Sequence, residues 1–182
     1  MGELAHVLSE FGHVSLSAPV VELRMPELNA VKAKALKLLA ELIRKKGKKP
    51  EDFVVRDILP ATDLGLSTEE WSFTPGTANA WNTFIDRSLP DDRFIVIFAF
   101  VNLSPAPKIT AVKFWRGSIP ERVYQVEHVY ANTEYPVLPF EPIGYSEGER
   151  IKVELYATAT DTQKPVLRGY IAEPRGETIG SK

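Results

Sequence analysis

Residues 150–174 read RIKVELYATATDTQKPVLRGYIAEP. In the first half Ile151, Val153, Leu155, Ala157 and Ala159 alternate with Lys152, Glu154, Tyr156, Thr158 and Thr160. Successive side chains of an extended chain point to opposite sides, so this pattern puts an apolar set on one face and a polar set on the other. The turn DTQKP follows, and VLRGYIAEP reads as a second strand able to pair back in an antiparallel hairpin. Alternation of this kind belongs to antiparallel sheets with one face on a core and one in water. It makes the chain mainly β.

The same reading extends upstream. Arg93–Leu103, RFIVIFAFVNL, is apolar on both faces and predicts a central strand buried on each side. Further strands are predicted at Phe53–Leu59, Glu70–Thr74, Lys108–Arg116 and Arg122–Tyr130, and in the proline-punctuated YPVLPFEPIGY. A short or broken strand is expected in HVSLSAPVVELR, 13–24, where Pro19 favours an edge or a bend. Helices do not alternate with these strands, which disfavours a parallel α/β sheet. An antiparallel β-sandwich, in the form of a single jelly roll, fits best. No repeat of 20–50 residues suggests a propeller or solenoid.

One segment departs from the β pattern. In RMPELNAVKAKALKLLAELIRKKGKK, 24–49, Leu28, Val31, Ala35, Leu38, Leu39 and Leu42 recur at helical spacing. Pro26 suits the first turn, Gly47 the stop, and the basic residues near the end favour the helix dipole. The expected layout is an N-terminal arm, 1–50, with a helix over about 26–47, then a β-sandwich over 51–182 ending in a short polar tail.

Charge sets this helix apart. Residues 24–49 hold nine Lys and Arg against Glu27 and Glu41, while the rest of the chain carries thirteen basic and twenty-two acidic side chains. The net charge of −2 therefore hides a basic element on an acidic body, and such asymmetry points to an interaction surface. The candidates are Lys32, Lys34, Lys37, Arg44, Lys45, Lys46, Lys48 and Lys49. A stripe of this kind suits nucleic-acid phosphates, anionic lipid heads or the acidic body of a neighbouring copy. The bland alternative is a helix that packs its apolar face and solvates its lysines.

Catalytic and metal chemistry find little support. The absence of cysteine excludes disulfides, thiolate metal sites and cysteine nucleophiles. His6, His13 and His128 form no metal-ligand spacing, and neither a nucleophile elbow nor a phosphate loop occurs. Asp91, Asp92, Glu147 and Glu149 lie in turn-like segments, where paired carboxylates could hydrolyse a glycoside or hold calcium, or simply face water. Asn102 begins a formal glycosylation sequon but ends the buried strand and is expected unmodified. Trp71, Trp81 and Trp115 serve a core, a subunit contact or a sugar platform. Since Phe114 and Trp115 are adjacent in a strand, one of them faces out, and Trp115 joins the candidate surface.

No cofactor and no small-molecule substrate are expected. No apolar run reaches the roughly 20 residues that cross a bilayer. The acidic, interrupted N-terminus does not read as a signal peptide. The two Gln, two Met and fourteen Pro suit a thermophile.

The stretches KALKLLAELIRKKGKK, RFIVIFAFVNL and RIKVELYATATDTQKPVLRGYIAEP together resemble the layout of jelly-roll capsid and coat proteins of viruses, with a basic N-terminal helix before the strands. The resemblance implies a non-enzymatic subunit that self-assembles as a homo-oligomer, with other shell proteins as further partners, in a virion assembled in the host cytoplasm. The alternatives are a carbohydrate- or ligand-binding β-sandwich and a surface-appendage subunit, with a cytoplasmic location outside the virion reading.

Overall fold

Strand pairing in the computed structural model, which describes residues 6–15, 26–131 and 137–176, follows one rule. β2 (Phe53–Asp57) pairs with β9 (Pro165–Pro174) and β3 (Ala80–Ser88) with β8 (Arg150–Ala157). In the same way β4 (Phe94–Asn102) pairs with β7 (Val137–Tyr145), and β5 (Ile109–Arg116) with β6 (Ile119–Gln125). All four pairs are antiparallel, so the eight strands form one long two-stranded ribbon. Pairings β4–β9 and β5–β8 roll that ribbon into two sheets, ordered β2-β9-β4-β7 and β3-β8-β5-β6. This is the jelly roll. A three-residue strand β1 (His13–Ser15) adds to the outer edge of β2 in parallel, making the first sheet five-stranded.

The hairpin expected over 150–174 is not one. β8 and β9 lie in different sheets, and residues 158–164 carry the chain across the sandwich. Both strands satisfy the alternation rule, which fixes a strand's faces and not its neighbour. A buried polar network holds this crossing. Asn102 Nδ2 donates to Gln163 Oε1 at 3.1 Å, and Lys108 N donates to the same oxygen at 2.8 Å. Ser104 N and Oγ both donate to Asn102 Oδ1, and Lys164 N donates to Ser104 Oγ. Asn102 is 5% exposed and its amide is engaged, so the sequon is closed in the folded chain.

Other strand boundaries also moved. β3 was not expected; its AWNTFIDRS carries weak alternation and a bulge between Thr83 and Ile85. Glu70–Thr74 contributes only the single bridge Phe73–Gln163. The strand expected at 122–130 begins and ends earlier, at Ile119–Gln125, and Glu127–Ala131 forms a 3₁₀ turn. Of the strand expected at 13–24, residues 16–25 lie outside the described residues.

The helix α1 (Pro26–Lys45) lies on the outer face of the five-stranded sheet, against β4, β7 and β9. The protein therefore has three layers and two cores. Between the sheets lie Ile95, Ile97, Phe100, Phe114, Leu155 and their neighbours. Between helix and sheet, Leu28, Ala35, Leu36, Leu39, Ala40 and Ile43 pack on Phe94, Val96, Phe98, Ala99 and Tyr170. All nine residues of β4 are buried, as the two-sided apolar run required. A bulge between Ile97 and Ala99 turns Phe98 and Ala99 together toward the helix and returns Phe100 to the inner core. Gly144 on β7 permits the close approach, since a Cβ there would lie 2.5 Å from Leu42 Cδ1.

The helix stops as its sequence requires. Gly47 takes φ +74°, Gly47 N donates to Arg44 O and Lys48 N to Ile43 O. Lys48 then reaches across to two loops. Its Nζ bonds Asp92 between β3 and β4 and Glu147 between β7 and β8, while Asp92 N donates to Glu147 Oε2 at 2.8 Å.

Where β2 neighbours β3, the gap between the sheets is closed by buried charge. Arg56 bonds both oxygens of Asp63 (2.7 and 2.9 Å) and both of Glu173 (3.0 and 3.2 Å). Asp63 belongs to the short helix α2 (Pro60–Leu64) and also accepts Leu59 N at 2.7 Å. Burial alone would lower the Arg56 pKa, but the bonds to Asp63 and Glu173 outweigh it and hold the guanidinium above its ordinary value.

Removing Arg56 strands two buried carboxylates. Arg56→Met should cost about 3–5 kcal/mol in urea unfolding, whereas the triple change R56M/D63L/E173L should recover most of that loss. The Lys48 clamp has its own signature in pH. Lys48 holds the Glu147 carboxyl below its ordinary 4.5, and Asp92 and Glu147 hold the ammonium above its ordinary 10.5. A depressed carboxyl contributes stability above 4.5 that is lost as pH falls through its folded value. A raised ammonium contributes below 10.5 and loses it as pH rises through its folded value. The gap in urea midpoint between wild type and Lys48→Met should therefore be full between these limits and shrink on both sides.

Candidate functional site

The eight basic residues singled out on the helix do not share one environment. Lys32 falls on the packed side, 7% exposed, because the buried stripe runs through Leu28, Ala35, Leu36, Leu39, Ala40 and Ile43. That stripe is rotated from the expected one. Val31, Leu38 and Leu42 flank it half-buried, and Leu36, Ala40 and Ile43 lie in it. Lys32 keeps a long apolar stem there, which suits a partly buried lysine.

Three others meet acids of their own chain. Lys34 pairs with Glu141 at 3.2 Å, Arg44 with Glu10, and Lys48 with Asp92 and Glu147. Lys37, Lys45, Lys46 and Lys49 are exposed, and no ion pair joins them to another of the described residues. The acidic body is thus in part the partner of its own helix, and four cations remain on the outer ridge. The apolar face is committed to the core, so an external surface would meet this helix through its exposed polar side chains and not through its apolar stripe.

The turn carboxylates resolve in the same way. Asp92 and Glu147 do converge, but on the ammonium of Lys48. Glu149 accepts Ser146 N at 2.6 Å and pairs with Arg116 at 3.2 Å, and Asp91 is exposed. His6, His13 and His128 are exposed, and no group of three or more metal-binding side chains occurs among the described residues.

Trp115 leads to the most organised surface. Phe114 points into the inner core and Trp115 onto the outer face of the four-stranded sheet, where it is half-buried. Register places Tyr156 beside Trp81, Lys152 beside Trp115, and Glu154 between Thr83 and Lys113. The rings of Trp81 and Tyr156 meet edge to face at 5.5 Å. Lys113 Nζ lies 3.8 Å from the Trp81 ring centre, and Lys152 Nζ lies 4.4 Å from that of Trp115. Glu154 ties the set together, taking Trp115 Nε1 at 2.9 Å, Lys152 at 3.0 Å and Lys113 at 3.4 Å. Burial would raise its carboxyl, but these three bonds hold it below the ordinary value.

Beside this ladder Val123, opposite Lys113 on the edge strand β6, is 49% exposed. Sequence reading named Trp81 and Trp115 but could not bring them together or add Lys113, Lys152 and Glu154, because these residues come from three strands whose order the alternation could not supply. The period-2 polar positions of β8, Lys152, Glu154 and Tyr156, were the available signal.

No protein-family model matches the chain, and no curated protein does. Among solved structures it is similar to the C-terminal CBM6 of a laminarinase from Zobellia galactanivorans, with TM-score 0.32 and 9% identity over 65% of this chain and 98% of that one. It is also similar to the VP2 subviral particle of infectious bursal disease virus, with TM-score 0.34 and 9% identity over 74% of this chain. The match spans 36% of that VP2 chain. A third is the CBM36-1 domain of a xylanase from the hindgut metagenome of Trinervitermes trinervoides, with TM-score 0.31 and 5% identity over 67% of this chain and 98% of that one. The jelly roll itself rests on the strand pairing.

Proposed function

We propose that the chain is a non-enzymatic structural subunit that assembles with copies of itself into an ordered shell of the viral coat type. Jelly rolls host coats, lectins and other functions alike, so the choice turns on surfaces. The observation that supports assembly is the inequality of the two outer sheet faces. One is sealed by α1. The other presents Trp81, Trp115 and Tyr156 in fixed geometry beside the exposed Val123. Tryptophan, tyrosine and exposed aliphatic side chains on a rigid, preorganised face suit a protein interface, because little side-chain freedom remains to be lost on contact.

The same three rings favour a second reading, a carbohydrate-binding module. Stacking on a sugar needs an open ring face, and Lys113 and Lys152 already stand over the two indoles. That arrangement supports a protein partner over a glycan.

Size-exclusion chromatography with light scattering, at low and high salt, tests the proposal. The expected result is a large species that Val123→Asp or Trp115→Ala disrupts, and that Lys37→Glu with Lys45→Glu weakens at low salt. A monomer at every salt and concentration overturns assembly. A monomer that binds on a glycan array, with binding lost in Trp115→Ala, establishes the second reading instead.

A further inference from the structure

Each sheet ends in two edge strands, and among the described residues these four edges differ in what they offer a partner. Natural edges are blunted by shortness, proline, charge or a bulge, because unpaired backbone groups otherwise recruit another strand. β1 is three residues long, β7 carries Pro139 and Pro142, and β3 carries a bulge with Asp86 and Arg87 beyond it. β6 is blunted only in its first half, by Pro120, Glu121, Arg122 and a bulge near Trp115. Val123, Tyr124 and Gln125 carry neither charge nor proline. Ile119 and Val123, 70% and 49% exposed, are two of the three large apolar side chains exposed among the described residues.

The backbone of this second half is aimed outward. Val126 N donates to Thr110 O at 2.9 Å, and Arg122–Gln125 hold the same register against β5. Antiparallel hydrogen bonding alternates along a strand, so Arg122 and Tyr124 turn their backbone groups to β5. Val123 and Gln125 turn theirs to the open edge. The Val123 side chain stands on the outer face, opposite Lys113.

The side chains then select the occupant and its register. Two antiparallel copies of β6 related by a two-fold axis keep the same face outward, so one residue meets its own copy. Pairings that overlap at least five of the seven residues centre on Glu121, Arg122 or Val123. The first sets Glu121 against Glu121 and the second Arg122 against Arg122, and like charges directly opposite are destabilising. The third sets Val123 on Val123, Arg122 on Tyr124 and Glu121 on Gln125, with no like charges opposed. Its centre is also a residue whose own N–H and C=O point outward. Arg122 need not move, since its bond to Glu141 O runs to the other sheet. We propose that β6 pairs antiparallel with β6 of a second copy about a two-fold axis at Val123, joining two four-stranded sheets into one. This rests on the assembly reading and names one contact within it.

The chain has no cysteine, so single-cysteine variants report the pairing directly. Val123→Cys, Glu121→Cys and Gln125→Cys are treated with dibromobimane, a short reagent that fluoresces on joining two thiols. In the proposed register the two copies of position 123 lie about 5.5 Å apart at Cα. The two copies of position 121, like those of 125, lie four residues apart along the strands, about 14 Å. Val123→Cys alone is therefore expected to give a fluorescent covalent dimer, and each of the other variants alone to lose it. Mixing Glu121→Cys with Gln125→Cys should restore it, and this mixture decides the matter if Val123→Cys does not fold. Equal yields from all three variants, a dimer from Glu121→Cys alone, or none from a folded Val123→Cys overturn the proposal. Light scattering on the same samples separates the two readings. A large species without the Val123→Cys product overturns the edge pairing and leaves assembly through another contact, whereas a monomer without it overturns both.

Discussion

The structure depends on the five-stranded sheet being buried on both faces. β4 makes the demand plain, because nine successive buried residues leave no side for water. A two-layer sandwich covers one face only, so a third layer is obligatory, and α1 is that layer. The four large side chains it buries completely, Leu28, Leu36, Leu39 and Ile43, are worth roughly 6–12 kcal/mol at the usual 1.5–3 kcal/mol each. That gross figure rivals the 5–15 kcal/mol by which whole domains are stable. An N-terminal arm that swung free would therefore uncover Phe94, Phe98 and Tyr170 and endanger the sheet beneath. Gly144, the bulge at Ile97–Ala99 and the Lys48 clamp all serve this one contact.

The apolar run of Arg93–Leu103 was enough to place β4 at the centre, since no half-wet environment tolerates it. The helix was legible from Pro26 to its glycine stop, but its buried face was rotated by about one residue. A wide apolar stripe leaves the contact line to be chosen by the partner, and β4 and β7 chose Leu36, Ala40 and Ile43. β3 was illegible because Asn82 and Thr83 break the pattern at a bulge. The hairpin reading of 150–174 failed for a topological reason: in a jelly roll, neighbours in sequence pair with their ribbon complements, and alternation carries no information about complements. The same ignorance hid the Trp81–Lys113–Trp115–Glu154 ladder.

The basic run also changes meaning in three dimensions. Read as a string, RKKGKK invites an external polyanion. In the fold, Arg44 and Lys48 hold the helix end to Glu10, Asp92 and Glu147, and Lys32 is buried. The asymmetry of charge is partly an internal fit between helix and body. What remains outward is a ridge of four lysines on one side and an aromatic, lysine-braced sheet face on the other. Two unlike surfaces on opposite sides of a three-layer protein are consistent with a subunit that has different neighbours on each.

The central claim is that α1 belongs to the folded core. Native-state amide hydrogen exchange tests it most directly. The account predicts that the amides of Leu36–Ile43 exchange as slowly as those of β4 and β9, in the same global opening event. Fast exchange across the helix, with β4 and β9 still protected, would contradict it.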